Sequence, residues 1–268
     1  MQQGICRLCG HAKDLTFEHV PPRVAFNKNT KYRVVSFDEY VKDNDPLNST
    51  VKGKIVQGGT GFYSLCEDCN NFLGRTYVNP YSDWVMAAAE AISFGNSQPI
   101  AYTVKDLEPL KILKQIISMF LSLNGSWHSL EYSELANFVK EPRNNELSDR
   151  FKIYSFLNSE GQMRFSPFKG IGKLDSPGKI VLCSEMVFSP LGYVLTIDSD
   201  CPSEKLADIT AFKKYEFDVK TELLISMFKL PTYLPLIPLD YRTKEEISQA
   251  IERDKKLVEQ IKKMKEAR

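Results

Sequence analysis

Four of the six cysteines form two pairs with the same spacing, Cys6-Arg-Leu-Cys9 and Cys66-Glu-Asp-Cys69. A two-residue gap lets both sulfurs of one turn point at a single metal ion, and two such turns complete a tetrahedron. We therefore predict a structural zinc site with four thiolate ligands. A redox pair is disfavoured, because it would lie inside a strand–helix–strand pattern that neither pair shows. Gly10 follows the first pair and suits the left-handed backbone that such a turn needs.

Histidine is the second residue type here that could do chemistry, and the chain has three: His11, His19 and His128. His19 follows an acidic residue, Glu18, and the second cysteine pair runs directly into Asn70. An imidazole suits general-base catalysis because its pKa lies near neutrality. On its own, His19 favours a core histidine satisfied by a hydrogen bond, and it is the flanking motif that favours catalysis.

Three motifs follow one another in the chain: C-x-x-C-G, T-x-E-H-V-x-P and L-C-x-x-C-N. Together they resemble the HNH endonucleases of the ββα-metal superfamily in their zinc-stapled form. The resemblance covers residues 5–77 and does not extend into the rest of the chain. It implies a β-hairpin and a helix that hold one divalent cation, Mg²⁺ or Mn²⁺. It also implies hydrolysis of phosphodiester bonds, with DNA favoured over RNA, in a setting such as restriction or anti-phage defence.

The resemblance assigns a role to each matching residue. His19 would be the general base that takes a proton from the attacking water. Glu18 and Asn70 would supply oxygen ligands to the catalytic Mg²⁺ or Mn²⁺. Asn70 would also be able to cap the helix that starts after the second cysteine pair, a role compatible with metal binding. Arg23 and Arg75 are candidate contacts for the phosphate backbone, with solvated surface charges as their alternative.

This chain departs from the family pattern in two places. The middle asparagine that orients the base in the family falls near Gly61 here. The family's hairpin must also carry an insertion at about 28–57, in which alternating residues predict extra strands at 32–37 and 54–57. A catalytically inactive zinc module that binds nucleic acid or a protein partner is therefore the alternative function.

Hydrophobic periodicity predicts helices at 82–94, 106–123 and 133–140. Asp106 is the expected cap of the second helix, which carries apolar residues at spacings of three and four. Beyond residue 150 the period changes to two, which predicts two hairpins. The first joins 151–157 to 162–165, and the second joins 179–188 to 193–197. A further strand or two is expected between 215 and 229. A charged helix should begin at about 243, with Thr243 and Glu246 as a capping box.

These elements predict an α+β protein in two parts. Residues 1–80 would form the zinc-stapled ββα-metal nuclease module. Residues 81–268 would form a mixed domain of helices and antiparallel sheet, with a role in substrate binding, partner binding or dimerisation. The sequence leaves open whether residues 81–268 form a homodimer or bind an activating partner.

Composition limits the classes of function. The chain has 268 residues with 35 basic and 34 acidic side chains, which gives a net charge of +1. A polycation is therefore excluded, and any contact with nucleic acid must come from a local patch. No apolar run approaches the length of a membrane span, and the N-terminus has no signal-peptide pattern. We expect a cytoplasmic protein in a reducing compartment.

Overall fold

The protein combines helices with antiparallel sheets, as the sequence predicts. A computed structural model describes residues 2–42, 47, 51–95, 97–172 and 180–266. The strands are β1 (Gln2–Ile5), β2 (Ala12–His19), β3 (Tyr32–Val34), β4 (Lys54–Val56), β5 (Gly61–Cys66), β6 (Ile100–Leu107), β7 (Phe151–Leu157), β8 (Arg164–Gly172), β9 (Ile180–Phe188), β10 (Leu191–Ile197), β11 (Ala207–Asp208) and β12 (Thr221–Met227). The helices are α1 (Phe37–Lys42), α2 (Glu67–Thr76), α3 (Val78–Phe94), α4 (Pro109–Leu123), α5 (Ser126–Glu131), α6 (Ser133–Lys140) and α7 (Lys244–Glu266).

The N-terminal sheet has the order β1-β2-β5 and leads straight into α2. The turn between β1 and β2 carries the first cysteine pair, and Gly10 adopts a φ of +76° there, as predicted. The second pair lies where β5 ends and α2 begins. Glu67 and Asp68 occupy the first turn of α2, where negative charge is favourable for the helix dipole.

The insertion forms a small hairpin in which β3 pairs with β4. Both predicted strands are therefore confirmed, although the first ends earlier than expected because α1 begins at Phe37. Residues 43–46 and 48–50 of the predicted insertion lie outside the described residues.

Helix α4 is the centre of the molecule. Every residue in it except Lys111 is buried, including the polar Lys114 and Gln115, so the helix is enclosed on all sides rather than along one stripe. The predicted start at Asp106 is wrong. Residues up to Leu107 form β6, which pairs with β12, so the helix cannot begin before Glu108, which takes the cap position.

The C-terminal sheet has the order β11-β7-β10-β9-β8. The predicted hairpin of β9 and β10 is confirmed, apart from Lys179, which lies outside the described residues. The predicted hairpin of β7 with 162–165 is wrong, because β7 pairs with β10 and β8 pairs with β9 at the far edge. Instead of closing a turn, the Asn158 amide donates to the Leu230 carbonyl at 2.9 Å, which ties this segment to the proline-rich stretch.

The predicted helix at 82–94 is present but begins earlier, at Val78. The other predictions for the C-terminal part agree with the structure. Strand β12 lies within 215–229, and α6 spans the predicted third helix. The capping box of α7 is formed: the Thr243 amide donates to Glu246 at 2.7 Å, and the Glu246 amide donates to the Thr243 hydroxyl at 3.2 Å. None of the helices in the described part of the chain is both long and apolar enough to cross a membrane.

One hydrophobic core runs through both predicted parts of the chain. Leu73, Trp84 and Ile116 belong to the same buried cluster, which extends from Cys6 to Met227. The hydroxyl of Ser64 on β5 donates to the hydroxyl of Ser122 on α4 at 2.9 Å. The division of the chain at residue 80 stays a prediction, and the two sides of that position share their packing.

Candidate functional site

The four paired cysteines come together in a cluster that could hold a metal ion. The sulfur atoms of Cys6, Cys9, Cys66 and Cys69 all lie within 4.8 Å of one another, and those of Cys9 and Cys66 are 4.0 Å apart. Four Zn–S bonds of about 2.3 Å in a tetrahedron require sulfur separations of about 3.8 Å. The cluster can therefore bind a structural metal such as zinc after only a small contraction.

Backbone hydrogen bonds shape this cluster. In the first turn, the Cys6 amide donates to the His11 carbonyl at 2.9 Å, and the Gly10 amide donates to the Cys6 carbonyl at 2.8 Å. The Cys66 amide then donates to the Cys6 sulfur at 3.3 Å, which brings the start of α2 to the β1–β2 turn. The hydrogen bond from the Cys69 thiol lowers the pKa of Cys6, so the crowded thiols favour a thiolate at that position.

The residues of the predicted catalytic centre meet at a second place on the same elements. Glu18 and His19 at the end of β2, and Asn70 in α2, line one cavity of about 370 Å³. Arg23 also lines this cavity and is exposed to solvent. Arg75 lies exposed in the last turn of α2 and is not among the lining residues.

His19 is held by a backbone atom. Its Nε2 lies 3.1 Å from the Gly58 carbonyl oxygen, so Nε2 carries the proton and Nδ1 is left as the acceptor. The ring also stacks edge-on against Phe17, with centroids 5.0 Å apart. The close approach of the loop depends on Gly59, since a Cβ there would lie 2.2 Å from the Asn27 carbonyl oxygen and 3.0 Å from the His19 ring.

Glu18 is a buried acid, with only 7% of its surface exposed. Among the described residues it has no hydrogen bond or ion pair, and burial raises the pKa of its carboxyl group to about 8. Burial of a carboxylate without a partner is costly, and a bound cation would remove that cost. Glu18 thus has the surroundings expected of a metal ligand.

The orientation of the Asn70 amide follows from its neighbour. The Thr16 hydroxyl gives its proton to the Leu65 carbonyl at 3.0 Å, so it accepts the bond from the Asn70 amide nitrogen at 3.0 Å. The Oδ1 atom of Asn70 is therefore the atom left for a ligand. The additional role as a helix cap is wrong, because α2 begins at Glu67 and Cys66 occupies the cap position.

Two residues that sequence reasoning missed hold this site together. Gly58 supplies the carbonyl for His19. The two consecutive glycines, Gly58 and Gly59, were a usable signal in the sequence, and both adopt positive φ. Asn27 is buried, donates to the Pro21 and Thr60 carbonyls, and accepts from the Thr60 amide at 2.8 Å. Nothing in the sequence around Asn27 marks it, because its partner lies 33 residues away.

Comparison with known proteins adds no assignment. No protein-family model, no curated protein and no solved structure matches this chain. Its function therefore has to be inferred from the residues and the geometry of the site itself.

Proposed function

We propose that this chain is a metal-dependent endonuclease of the HNH type, which hydrolyses phosphodiester bonds, with DNA as the favoured substrate. The observation that carries the proposal is the meeting of Glu18, His19 and Asn70 on one cavity. These three residues come from β2 and α2, the two elements that the cysteine cluster joins. A base, an acid and an amide oxygen converge there at a solvent-accessible point.

His19 acts as the general base in this proposal. Because Nε2 donates to the Gly58 carbonyl, Nδ1 is the atom that accepts the proton of the attacking water. The same carbonyl then stabilises the imidazolium ion that forms. The backbone of Gly58 thereby takes over the orienting role that the resemblance gives to an asparagine near Gly61.

Glu18 and the Oδ1 atom of Asn70 fit a hard divalent cation, Mg²⁺ or Mn²⁺, which prefers oxygen ligands. When bound, such an ion neutralises charge on the phosphate and stabilises the leaving 3′ oxygen. The chain contributes a buried acid that has no cationic partner among the described residues and an amide whose orientation is fixed by Thr16. Arg23 at the rim is placed to contact a flanking phosphate.

Zinc is the metal that we assign to the four cysteines. The protein would fill all four of its coordination positions, so the ion would have a structural role and no open site for chemistry. It would fix the β1–β2 hairpin to the start of α2. This fixes the end of β2, where Glu18 and His19 lie, relative to the helix that carries Asn70.

The proposal is tested by cleavage of a supercoiled plasmid and of a single DNA strand in Mg²⁺ or Mn²⁺. We expect wild-type protein to cut, and His19→Ala and an EDTA-treated sample to be inactive. His11→Ala is the matched control, because His11 is exposed and outside the cavity. Its activity should equal that of the wild type.

Two outcomes would contradict the proposal. Equal cutting by wild type and His19→Ala would show that another residue or a contaminant cleaves the DNA. Absence of cutting by folded, zinc-loaded wild type on both substrates would favour the inactive binding module.

A further inference from the structure

A second, larger cavity lies beside the candidate catalytic cavity. Its volume is about 700 Å³, within the range of small-molecule sites. Three parts of the chain form its walls: the insertion from β3 to α1, the start of β5, and the loops at 161–165 and 235–236. Residues on both sides of position 80 are therefore needed to build it.

The lining of this cavity suits an aromatic ligand with negative charge. Four aromatic rings line it, and those of Phe62 and Phe165 pack edge to face with centroids 6.3 Å apart. Among the described residues of the lining, Arg33 is the charged one, and none is an aspartate or glutamate. Arg33 donates one hydrogen bond to the Val51 carbonyl and forms no ion pair among the described residues. The amide of Gln162, from another segment of the lining, adds a donor and an acceptor.

The cavity is joined to the catalytic centre through one strand pair. Gly61 and Phe62 line the cavity, and they pair with His19 and Glu18 across the β2–β5 ladder. Cα atoms of opposed residues in an antiparallel pair lie about 5 Å apart. The Thr60 hydroxyl also donates to the Val20 carbonyl at 2.7 Å, one residue beyond His19. A ligand in this cavity therefore contacts the strand that pairs directly with the residues of the candidate site.

A nucleotide meets each of these requirements. Its base can stack among the rings, its edge can bond with Gln162, and its phosphate can contact Arg33. A base paired inside a duplex cannot reach rings that line a cavity unless it leaves the stack. An unpaired base of a single strand enters without that cost.

We propose that this cavity binds one unpaired base of the substrate strand and so sets the neighbouring phosphate at His19. The inference rests on the proposed nuclease function and narrows its substrate class to single-stranded or locally unpaired nucleic acid. A free nucleotide has the same chemistry, and the experiment separates the two sources.

The test measures binding of a short fluorescein-labelled DNA strand and of its duplex by fluorescence anisotropy, in the His19→Ala background so that nothing is cut. We expect the single strand to bind more tightly than the duplex. Tyr32→Ala and Gln162→Ala, in separate segments of the lining, should each weaken single-strand binding, by about tenfold for the stacking residue. Arg33→Ala should reduce the slope of the logarithm of the binding constant against the logarithm of salt concentration by about the value of one phosphate contact.

Matched controls separate the cavity from general effects of charge and aromatic surface. Lys31→Ala removes an exposed cation two residues from Arg33 but outside the cavity, and Phe94→Ala removes an aromatic ring that is 79% exposed elsewhere. Both should bind the strand as the parent does. Zinc content and urea unfolding of every variant show that the fold is retained.

Three results would overturn the inference. In the first, folded Tyr32→Ala and Gln162→Ala bind the single strand as tightly as the parent. In the second, the duplex binds as well as the strand and responds equally to the variants. In the third, a mononucleotide binds in a way that depends on Tyr32, but it does not compete with binding of the single strand. DNA cleavage is measured separately, in protein that retains His19. Cleavage that requires His19 but not Tyr32 would contradict this inference and leave the proposed nuclease function intact.

Discussion

The Nε2 atom of His19 lies 3.1 Å from the carbonyl oxygen of Gly58, on a loop 39 residues further along the chain. The contact places a peptide carbonyl where a side chain would be the obvious partner for a catalytic histidine. It is possible because two consecutive glycines, Gly58 and Gly59, adopt φ values of +101° and +95°. The orientation of the His19 ring thus depends on backbone that only glycine adopts without strain.

Replacing these two glycines in turn separates backbone strain from the contact with His19. A Cβ at Gly58 would meet nothing within 4 Å, so Gly58→Ala should cost only the strain of positive φ, about 1–2 kcal/mol. Gly59→Ala adds a collision with Asn27 and the His19 ring, and should cost roughly 3 kcal/mol or more. Urea unfolding and DNA cleavage measure both effects. Similar losses in the two variants would argue against a close contact at Gly59.

Loss of one cysteine ligand should release the structural metal. Cys69→Ser removes one of four clustered sulfurs, and we expect the metal content by elemental analysis to fall from one zinc per chain to none. The free energy of unfolding should fall by about 3 kcal/mol or more. Cys201→Ser is the control, because Cys201 is exposed and outside the cluster. A Cys69→Ser protein that keeps its zinc would contradict the assignment.

The catalytic cation can be tested without measuring activity. Wild-type protein should become more stable as Mg²⁺ or Mn²⁺ is added, by about 2.7 kcal/mol at a hundred times the dissociation constant. Glu18→Gln keeps the shape of the side chain but removes the charge, so its unfolding midpoint should not respond to either ion. An equal response of both proteins would place the cation somewhere other than Glu18.

His128 should make the protein sensitive to acid. Its two ring nitrogens are buried without a hydrogen-bond partner among the described residues, and its ring packs against Tyr132 and Phe168. Burial lowers the pKa of His128 to about 4. Between that value and its ordinary pKa of about 6.5, the unfolded chain binds the proton and the folded chain does not, so stability falls as pH falls.

The expected loss from His128 is about 2 kcal/mol between about pH 7 and about pH 5. The buried Glu18 carboxyl, whose pKa is raised to about 8, binds a proton only in the folded chain over this range and so contributes the opposite slope. His128→Phe keeps the aromatic packing, and in urea unfolding at both pH values it should end about 2 kcal/mol more favourably than wild type on acidification. His11→Gln should leave the slope as it is, since His11 is exposed. An unchanged slope in His128→Phe would assign the acid sensitivity to other groups.

The part of the site that the sequence predicts is the part carried by local spacing. Two residues between cysteines fix where two sulfurs point, so the cluster follows from the pairs themselves. The family resemblance added the meeting of Glu18 and His19 with Asn70. The bond from His19 to Gly58 could not be predicted, because the consecutive glycines mark a turn but not which side chain its carbonyl meets.

The errors in the fold have a related cause. Turn residues at 158–161 suggested that the chain reverses there into a hairpin. Strand pairing is decided by contacts between residues far apart in the chain, and β7 pairs with β10 instead. Likewise, 100–107 became a strand because β12, more than a hundred residues later, lies beside it. Asn27 illustrates the same limit for side chains, since both carbonyls it bonds are fixed by the folded loops.

The shared packing of β5 and α4 bears on how this nuclease candidate could be reused. An engineer who transplanted residues 1–80 to another scaffold would cut through one continuous core and strip Ser64 of its partner Ser122. The graft would expose Leu73 and lose one wall of the larger cavity. A workable cassette has to include α4, and a cassette that keeps the larger cavity has to extend past residue 236.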